Sequence, residues 1–210
     1  MAVVQQISEA SASAEGFPAA RLGIVSVTIR DTPLPAPQPF STETVEQLTE
    51  YRAVLETSVG SMTLGFSPAL APGHVRNFLR LAQAGVFDGM AFHRVVKGFA
   101  AQTGSIDSRG GPLTDEQQKL VGTLPPEFNQ TKHVKGTLSM ARGDDPGSAS
   151  TSFFLVTGDA PSLDGKYTAF GRVVDGMAVL EAIDAMPVNG ETPATRIELK
   201  SIRIVKGPGV

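Results

Sequence analysis

Short apolar runs separated by glycine and polar turns dominate the chain from Tyr51 onwards. The runs YRAVLET and SMTLGF flank Val59-Gly60, which is the arrangement of a β-hairpin. Further short runs are AFHRVV, FAAQ, GTLSMAR, SFFLVT, TAFGRVV and, last, IELKSIRIV. Because these runs do not alternate with helices, the pattern predicts a mainly β protein with a closed antiparallel barrel rather than a parallel α/β sheet.

Two stretches within this region have helical periodicity instead. In APGHVRNFLRLAQAG the apolar residues fall on one helical face, and Gly85 is placed to end the helix. The stretch GMAVLEAID precedes the last strand. The sequence therefore predicts one helix for each end of the barrel.

The first fifty residues follow a different pattern. A short helical pattern near the start is followed by a strand-like run over 22–29, and prolines occupy positions 33, 35, 37 and 39. Alternating prolines favour a stiff, extended linker. Thr44 and Gln47 have capping-box spacing, which predicts a short helix within 41–50. We predict three regions: an N-terminal extension (1–31), a proline-rich linker with a short helix (32–50), and the barrel domain (51–207).

The N-terminal extension resembles the tail of the same chain. Residues 1–3 and 7 are identical to 177–179 and 183, and after a one-residue offset five positions match again: Pro18, Ala19, Arg21, Ser26 and Ile29 with Pro193, Ala194, Arg196, Ser201 and Ile204. We interpret the extension as an internal repeat and the chain as a fragment of a tandem protein, with chance convergence as the alternative. A lone apolar strand is expected to dock on the barrel or to self-associate with another copy.

Composition narrows the classes of function. The net charge of −3 offers no basic field for nucleic acid or an anionic membrane. Cysteine is absent, which excludes disulfides and thiol chemistry. The start of the chain shows no signal-peptide pattern, so a cytoplasmic location is expected, or a periplasmic one if the chain belongs to a longer exported protein.

One stretch, FHRVVKGFAAQTG, carries polar residues where a plain barrel strand would be aliphatic. The three histidines of the chain are dispersed, and no G-x-S-x-G, G-x-G-x-x-G or Walker pattern occurs, so no metal, hydrolase or nucleotide site is expected. Arg94 and Gln102 are eight residues apart, an even spacing that keeps them on one strand face. Beside Phe92 and Phe99, this pair predicts a polar and aromatic groove.

That stretch, together with GTLSMARGDDPGSASTSFFLVT and LDGKYTAFGRVVDGMAVLEAI, resembles the cyclophilin family of peptidyl-prolyl cis/trans isomerases over about Tyr51 to Val205. The resemblance implies an eight-stranded antiparallel barrel with two capping helices. It also implies an enzyme that accelerates X–Pro isomerisation during protein folding, with proline-containing polypeptides as partners and no cofactor. A proline-peptide binding module or chaperone with little turnover is the alternative.

The resemblance also implies roles for individual residues. Arg94 is expected to assist twisting of the prolyl amide, Gln102 to hold Arg94 and bind the substrate backbone, and His93 to be structural. Substrate contacts are expected at Phe99, Ala100, Ala141, Arg142, Ser152, Phe154, Leu163 and Tyr167.

Four positions depart from the family pattern. Ala100 replaces a frequent methionine, Ser152 a glutamine, Ser162 a tryptophan and Tyr167 a histidine. The departures predict a wider, less aromatic pocket that binds cyclosporin weakly. The X–Pro bonds of the linker could also occupy the groove, with a plain spacer as the alternative.

Overall fold

The computed structural model describes residues 12–13, 17–18, 23 and 38–207. The chain divides into two units, Met1–Ala36 and Pro37–Val210. The predicted N-terminal helix and strand and most of the proline-rich linker lie outside the described residues, so they remain predictions. None of the helices in the described part of the chain is long and apolar enough to cross a membrane.

The larger unit is built around an antiparallel sheet. Within residues 38–207 this sheet has nine strands: β1 (Tyr51–Thr57), β2 (Gly60–Phe66), β3 (Met90–Phe92), β4 (Arg94–Val96), β5 (Ala100–Thr103), β6 (Thr137–Met140), β7 (Phe153–Val156), β8 (Ala169–Asp175) and β11 (Ile197–Lys206). The strand order is β3-β11-β1-β2-β8-β6-β7-β5-β4. Two further strands, β9 (Val188–Asn189) and β10 (Thr192–Pro193), form a separate hairpin.

The sheet closes on itself at His93. Strands β3 and β4 stand at opposite ends of the strand order, yet only His93 separates them along the chain. The His93 N–H donates to the Gln102 carbonyl at 3.1 Å, which continues the pairing of β4 with β5. The expected closed antiparallel barrel is confirmed. Its strands number nine rather than eight because the run AFHRVV is split in two at this residue.

Two longer helices pack against the barrel as expected. Helix α2 (Pro72–Gln83) follows a one-turn helix, α1 (Val45–Leu48), and α4 (Met177–Ala185) precedes the β9–β10 hairpin; a second one-turn helix is α3 (Asp115–Gln118). The predicted capping box of α1 is present, since the Thr44 hydroxyl and the Gln47 side chain accept each other's backbone N–H. Gly85, with φ of 67°, follows α2 in the left-handed conformation that glycine adopts readily.

An aromatic cluster joins α2 to the barrel interior. The ring of Phe78 lies 5.2–5.7 Å, centroid to centroid, from the rings of Phe66, Phe87, Phe153 and Phe170. Aromatic pairs at such distances add stabilisation beyond the area they bury. This cluster fills the space between α2 and the strands with a solid apolar core.

Strand alternation sorts side chains between that core and the outer face. Along β4, β5 and β7, the residues Val95, Ala101, Phe153 and Leu155 belong to the main core. Successive side chains of a strand point to opposite faces, so Arg94, Ala100, Gln102 and Phe154 share the outer face.

Candidate active site

Three of the residues singled out in the sequence form a row across adjacent strands. Arg94 of β4 is directly opposite Gln102 of β5, and Gln102 is directly opposite Phe154 of β7. Residues directly opposite each other in an antiparallel pair lie on the same face within side-chain reach. The expectation that Arg94 and Gln102 share one strand face is therefore confirmed.

This row borders a cavity of about 140 Å³ on the outer face of the barrel. Nine of the ten predicted site residues line it: Arg94, Phe99, Ala100, Gln102, Ala141, Arg142, Phe154, Leu163 and Tyr167. The tenth, Ser152, is not among the lining residues; its carbonyl accepts the Ala141 N–H at 2.9 Å. That bond occupies the Ala141 N–H within the protein.

The wall of the cavity is apolar and separate from the main core. Ala100, Phe154 and Val156 are buried members of this second cluster, and Phe99, Leu163 and Tyr167 pack against it half-buried. The Phe154 and Tyr167 rings meet edge to face, with centroids 5.9 Å apart and planes at 80°. A half-exposed apolar wall beside Arg94 suits a small apolar ring joined to a polar amide.

Arg142 covers part of the rim. Its guanidinium carbon lies 4.6 Å from the centroid of the Tyr167 ring and 6.0 Å from that of Phe128, within cation–π range. Its nitrogens also donate to the carbonyls of Gly143 and Lys166 at 2.8 and 3.2 Å. These contacts hold the Arg142 guanidinium over the aromatic side of the cavity.

A buried polar network lies directly behind Phe154. The His133 ring is nearly parallel to the Phe154 ring, at 24° and 6.3 Å between centroids. His133 Nδ1 lies 3.1 Å from Asp164 Oδ1, and Nε2 lies 3.0 Å from Ser139 Oγ. A carboxylate can only accept, so His133 Nδ1 carries a proton. The single proton of the Ser139 hydroxyl has two acceptors within reach, Nε2 of the neutral ring and the Thr168 carbonyl at 3.1 Å. Sequence analysis did not foresee this network.

The pKa values in the network agree with that assignment. Burial lowers the pKa of His133, outweighing the opposite effect of Asp164, and so keeps the ring neutral. A hydrogen bond from the His133 backbone N–H is the largest cause that lowers the pKa of Asp164, and a hydrogen bond from the Lys132 side chain is the second. Together they bring this pKa to about 2. Although serine, histidine and aspartate stand in hydrogen-bonding order, Ser139 is fully buried. A hydroxyl with no access to substrate is no nucleophile, so the network supports the pocket wall.

Two acidic residues from the C-terminal part of the domain hold the strands of the site. The Asp184 carboxylate of α4 accepts the N–H of Gly98, in the β4–β5 turn, at 3.0 and 3.2 Å. Glu191, in the β9–β10 turn, forms an ion pair with Arg94 at 2.6 Å. Sequence analysis missed both residues. It expected Gln102 to hold Arg94, whereas within residues 38–207 the side-chain hydrogen bonds of Arg94 go to Glu191. The only local signal was the turn sequence NGE, which indicates a hairpin without showing what it touches.

His93 is half-buried next to Arg94. Burial is the main cause that lowers its pKa, with a smaller contribution from the Arg94 charge. Its backbone closes the barrel, as described above, and the structure shows its ring outside the cavity lining. Its expected structural role agrees with this position.

Comparison with known proteins identifies the family. The family model "Cyclophilin type peptidyl-prolyl cis-trans isomerase/CLD" matches residues 52–204. The chain is 39% identical over 165 residues to the peptidyl-prolyl cis-trans isomerase CYP23 of Arabidopsis thaliana, covering 74% of this chain and 71% of that protein. It is also 39% identical over 141 residues to a probable peptidyl-prolyl cis-trans isomerase of Brucella abortus, covering 64% of this chain and 71% of the relative.

Solved structures give the same result. A cyclophilin-type peptidyl-prolyl cis-trans isomerase of Cryptosporidium parvum has a TM-score of 0.65 and 26% identity, covering 75% of this chain and 98% of that one. The mainly β barrel, the ordered motifs and these relatives agree, and the protein is an isomerase. The chain belongs to the cyclophilin-type peptidyl-prolyl cis-trans isomerase family.

Proposed function

We propose that the Arg94 guanidinium drives X–Pro isomerisation at this cavity by stabilising the twisted prolyl amide. Resonance gives the peptide C–N bond a rotation barrier of roughly 18–20 kcal/mol, so uncatalysed X–Pro exchange takes tens to hundreds of seconds. Twisting breaks the resonance and returns a lone pair to the nitrogen. A donor aimed at that nitrogen and at the prolyl carbonyl favours the twisted state, and each ~1.4 kcal/mol gained there is tenfold in rate.

The observation that carries the proposal is the row Arg94–Gln102–Phe154 at the edge of the cavity. Arginine suits the task because its charge is permanent and its donors form a rigid fork. In this proposal Gln102 orients the substrate backbone beside Arg94. Phe99, Phe154 and Leu163 hold the proline ring against the apolar wall.

The proposed substrate is a peptide segment that contains an X–Pro bond. A structure of the Cryptosporidium parvum relative was determined in the presence of the dipeptide Ala-Pro, at 25% identity to this chain and a TM-score of 0.65. The cavity of about 140 Å³ has room for one small ring rather than a large side chain. The extended chain on either side of the proline would run past Arg142 and Ala141.

A protease-coupled assay on an Ala-Pro peptide tests the proposal. The wild-type protein is compared with Arg94→Ala and with Arg203→Ala, an exposed arginine of β11 that pairs with Glu56 outside the cavity lining. We expect Arg94→Ala to lose at least about tenfold in kcat/KM and Arg203→Ala to match the wild type. Equal loss in the two variants, or no loss in Arg94→Ala, would remove Arg94 from the mechanism.

A further inference from the structure

The side chain of Arg94 forms two hydrogen bonds with a carboxylate from a distant part of the chain. Its Nε donates to Oε2 of Glu191 at 2.6 Å, and its Nη2 donates to Oε1 at 3.1 Å. Two parallel hydrogen bonds between a guanidinium and a carboxylate set the plane of the guanidinium as well as its position. The pair uses one edge of the fork, and Nη1 is not part of it.

We propose that Glu191 is the positioning residue for Arg94. By binding the Nε–Nη2 edge, it presents the remaining donors of the guanidinium to the substrate in a fixed orientation. A donor that is already oriented loses no rotational freedom when the amide twists, so its full interaction goes to the twisted state. This inference rests on the role proposed for Arg94.

The fold delivers Glu191 to this place through its backbone. Strands β9 and β10 are joined by the two-residue turn Gly190-Glu191, and Gly190 has φ of 65°, as a tight hairpin turn requires at its first position. The Glu191 carbonyl accepts the Val95 N–H of β4 at 2.7 Å. The hairpin is thus anchored one residue beyond Arg94, whatever side chain residue 191 carries.

The exposure of the pair separates a positioning role from a folding role. The side chains of Arg94 and Glu191 are 39% and 55% exposed. Ion pairs at such positions contribute little to folding because water screens them. Screening also limits how far the carboxylate weakens the field of the guanidinium. The hydrogen bond from Arg94 lowers the pKa of Glu191, so the carboxylate stays ionised at neutral pH.

The test compares Glu191→Ala and Glu191→Asp with the wild type by coupled assay, peptide titration and urea unfolding. Glu181→Ala is the matched control, because Glu181, on α4, forms a similarly exposed ion pair with Lys135 and neither residue lines the cavity. We expect Glu191→Ala to lower kcat/KM about three- to tenfold with unchanged peptide Kd and urea midpoint, Glu191→Asp to recover part of the loss, and Glu181→Ala to match the wild type.

A second arm asks whether the effect passes through Arg94. Lysine lacks the fork that Glu191 binds, so adding Glu191→Ala to Arg94→Lys should cause no further loss. Unchanged or raised activity in Glu191→Ala, or an equal loss in the Arg94→Lys background, would overturn the positioning role while leaving the proposed function intact. If Arg94→Ala itself keeps wild-type activity, the proposed function fails, and this inference fails with it.

Discussion

The guanidinium of Arg142 stacks on the Tyr167 ring at 4.6 Å, and the same ring meets Phe154 edge to face at 5.9 Å. Tyr167 is therefore held between a cation and the aromatic floor of the cavity. Each contact of this kind is worth about 0.5–1.5 kcal/mol. Their combination stabilises one side of the pocket without the tryptophan that is frequent in the family.

Replacing the Tyr167 ring should weaken peptide binding. We expect Tyr167→Leu to raise the Kd for an Ala-Pro peptide about three- to tenfold, because both ring contacts are lost. Tyr167→Phe keeps the ring and should bind within about twofold of the wild type. Titration by NMR or calorimetry measures both. Wild-type affinity in the leucine variant would mean that the stacked ring does not shape the site.

We predict weak cyclosporin binding because small residues stand around the pocket. Ser162 is exposed on the turn that also carries Leu163, at the position where the family frequently has tryptophan. We expect a wild-type Kd above about 1 μM and a Kd about five- to thirtyfold lower in Ser162→Trp, since a large aromatic contact adds on the order of 1–2 kcal/mol.

Ser41→Trp is the control for the cyclosporin titration, because Ser41 is also exposed but borders a different cavity, beside Arg76 and Leu124. Its affinity should equal that of the wild type. Sub-micromolar binding of cyclosporin by the wild-type protein would contradict this prediction, because the pocket would then bind cyclosporin tightly without the tryptophan.

The β4–β5 turn should need the Asp184 carboxylate to keep Phe99 in place. Asp184→Ala removes the acceptor of the Gly98 N–H, and we expect kcat/KM to fall about two- to fivefold because an oriented apolar contact is loosened. Asp184→Asn retains one acceptor oxygen, so its kcat/KM should lie between those of the wild type and Asp184→Ala. The coupled assay decides, and a fully active alanine variant would show that the turn holds its shape unaided.

Ionisation of Asp164 should make part of the folding stability depend on pH. Its folded pKa of about 2 is below its ordinary value of 3.8, so its contribution is present above about pH 4 and is lost as pH falls towards 2. Asp164→Asn should therefore unfold at lower urea than the wild type at pH 6, with a gap that narrows below about pH 4. Asp159→Asn, an exposed residue nearby, is the control. A gap that stays constant with pH would contradict the linkage.

Sequence pattern predicts the structural features that are determined by residues close together in the chain. The Arg94–Gln102 face, the β1–β2 hairpin and the helix closed by Gly85 each follow from spacing within a few residues. Strand alternation then predicts the division between core and outer face. The division of AFHRVV into two strands at His93 could not be predicted from the sequence. All six residues suit a strand, and the run is interrupted there only because the sheet closes at His93.

The supporting residues could not be predicted because they are far apart in sequence. Arg94 and Glu191 are 97 positions apart, and His133 and Asp164 are 31 apart. Their contacts depend on where the barrel places a hairpin and two loops, and the periodicity of the sequence does not predict that placement. Ser139, His133 and Asp164 illustrate the point, since burial of the serine decides their role and burial is a property of the fold.

The most direct test of the central claim measures cis–trans exchange of an Ala-Pro peptide by NMR at equal occupancy of wild-type protein and Arg94→Ala. The account predicts that the two proteins bind the peptide with Kd values within about threefold, while exchange in the wild-type complex is at least about tenfold faster. Exchange with the wild type no faster than with Arg94→Ala would contradict it, because the cavity would then bind proline without Arg94 helping to twist the amide.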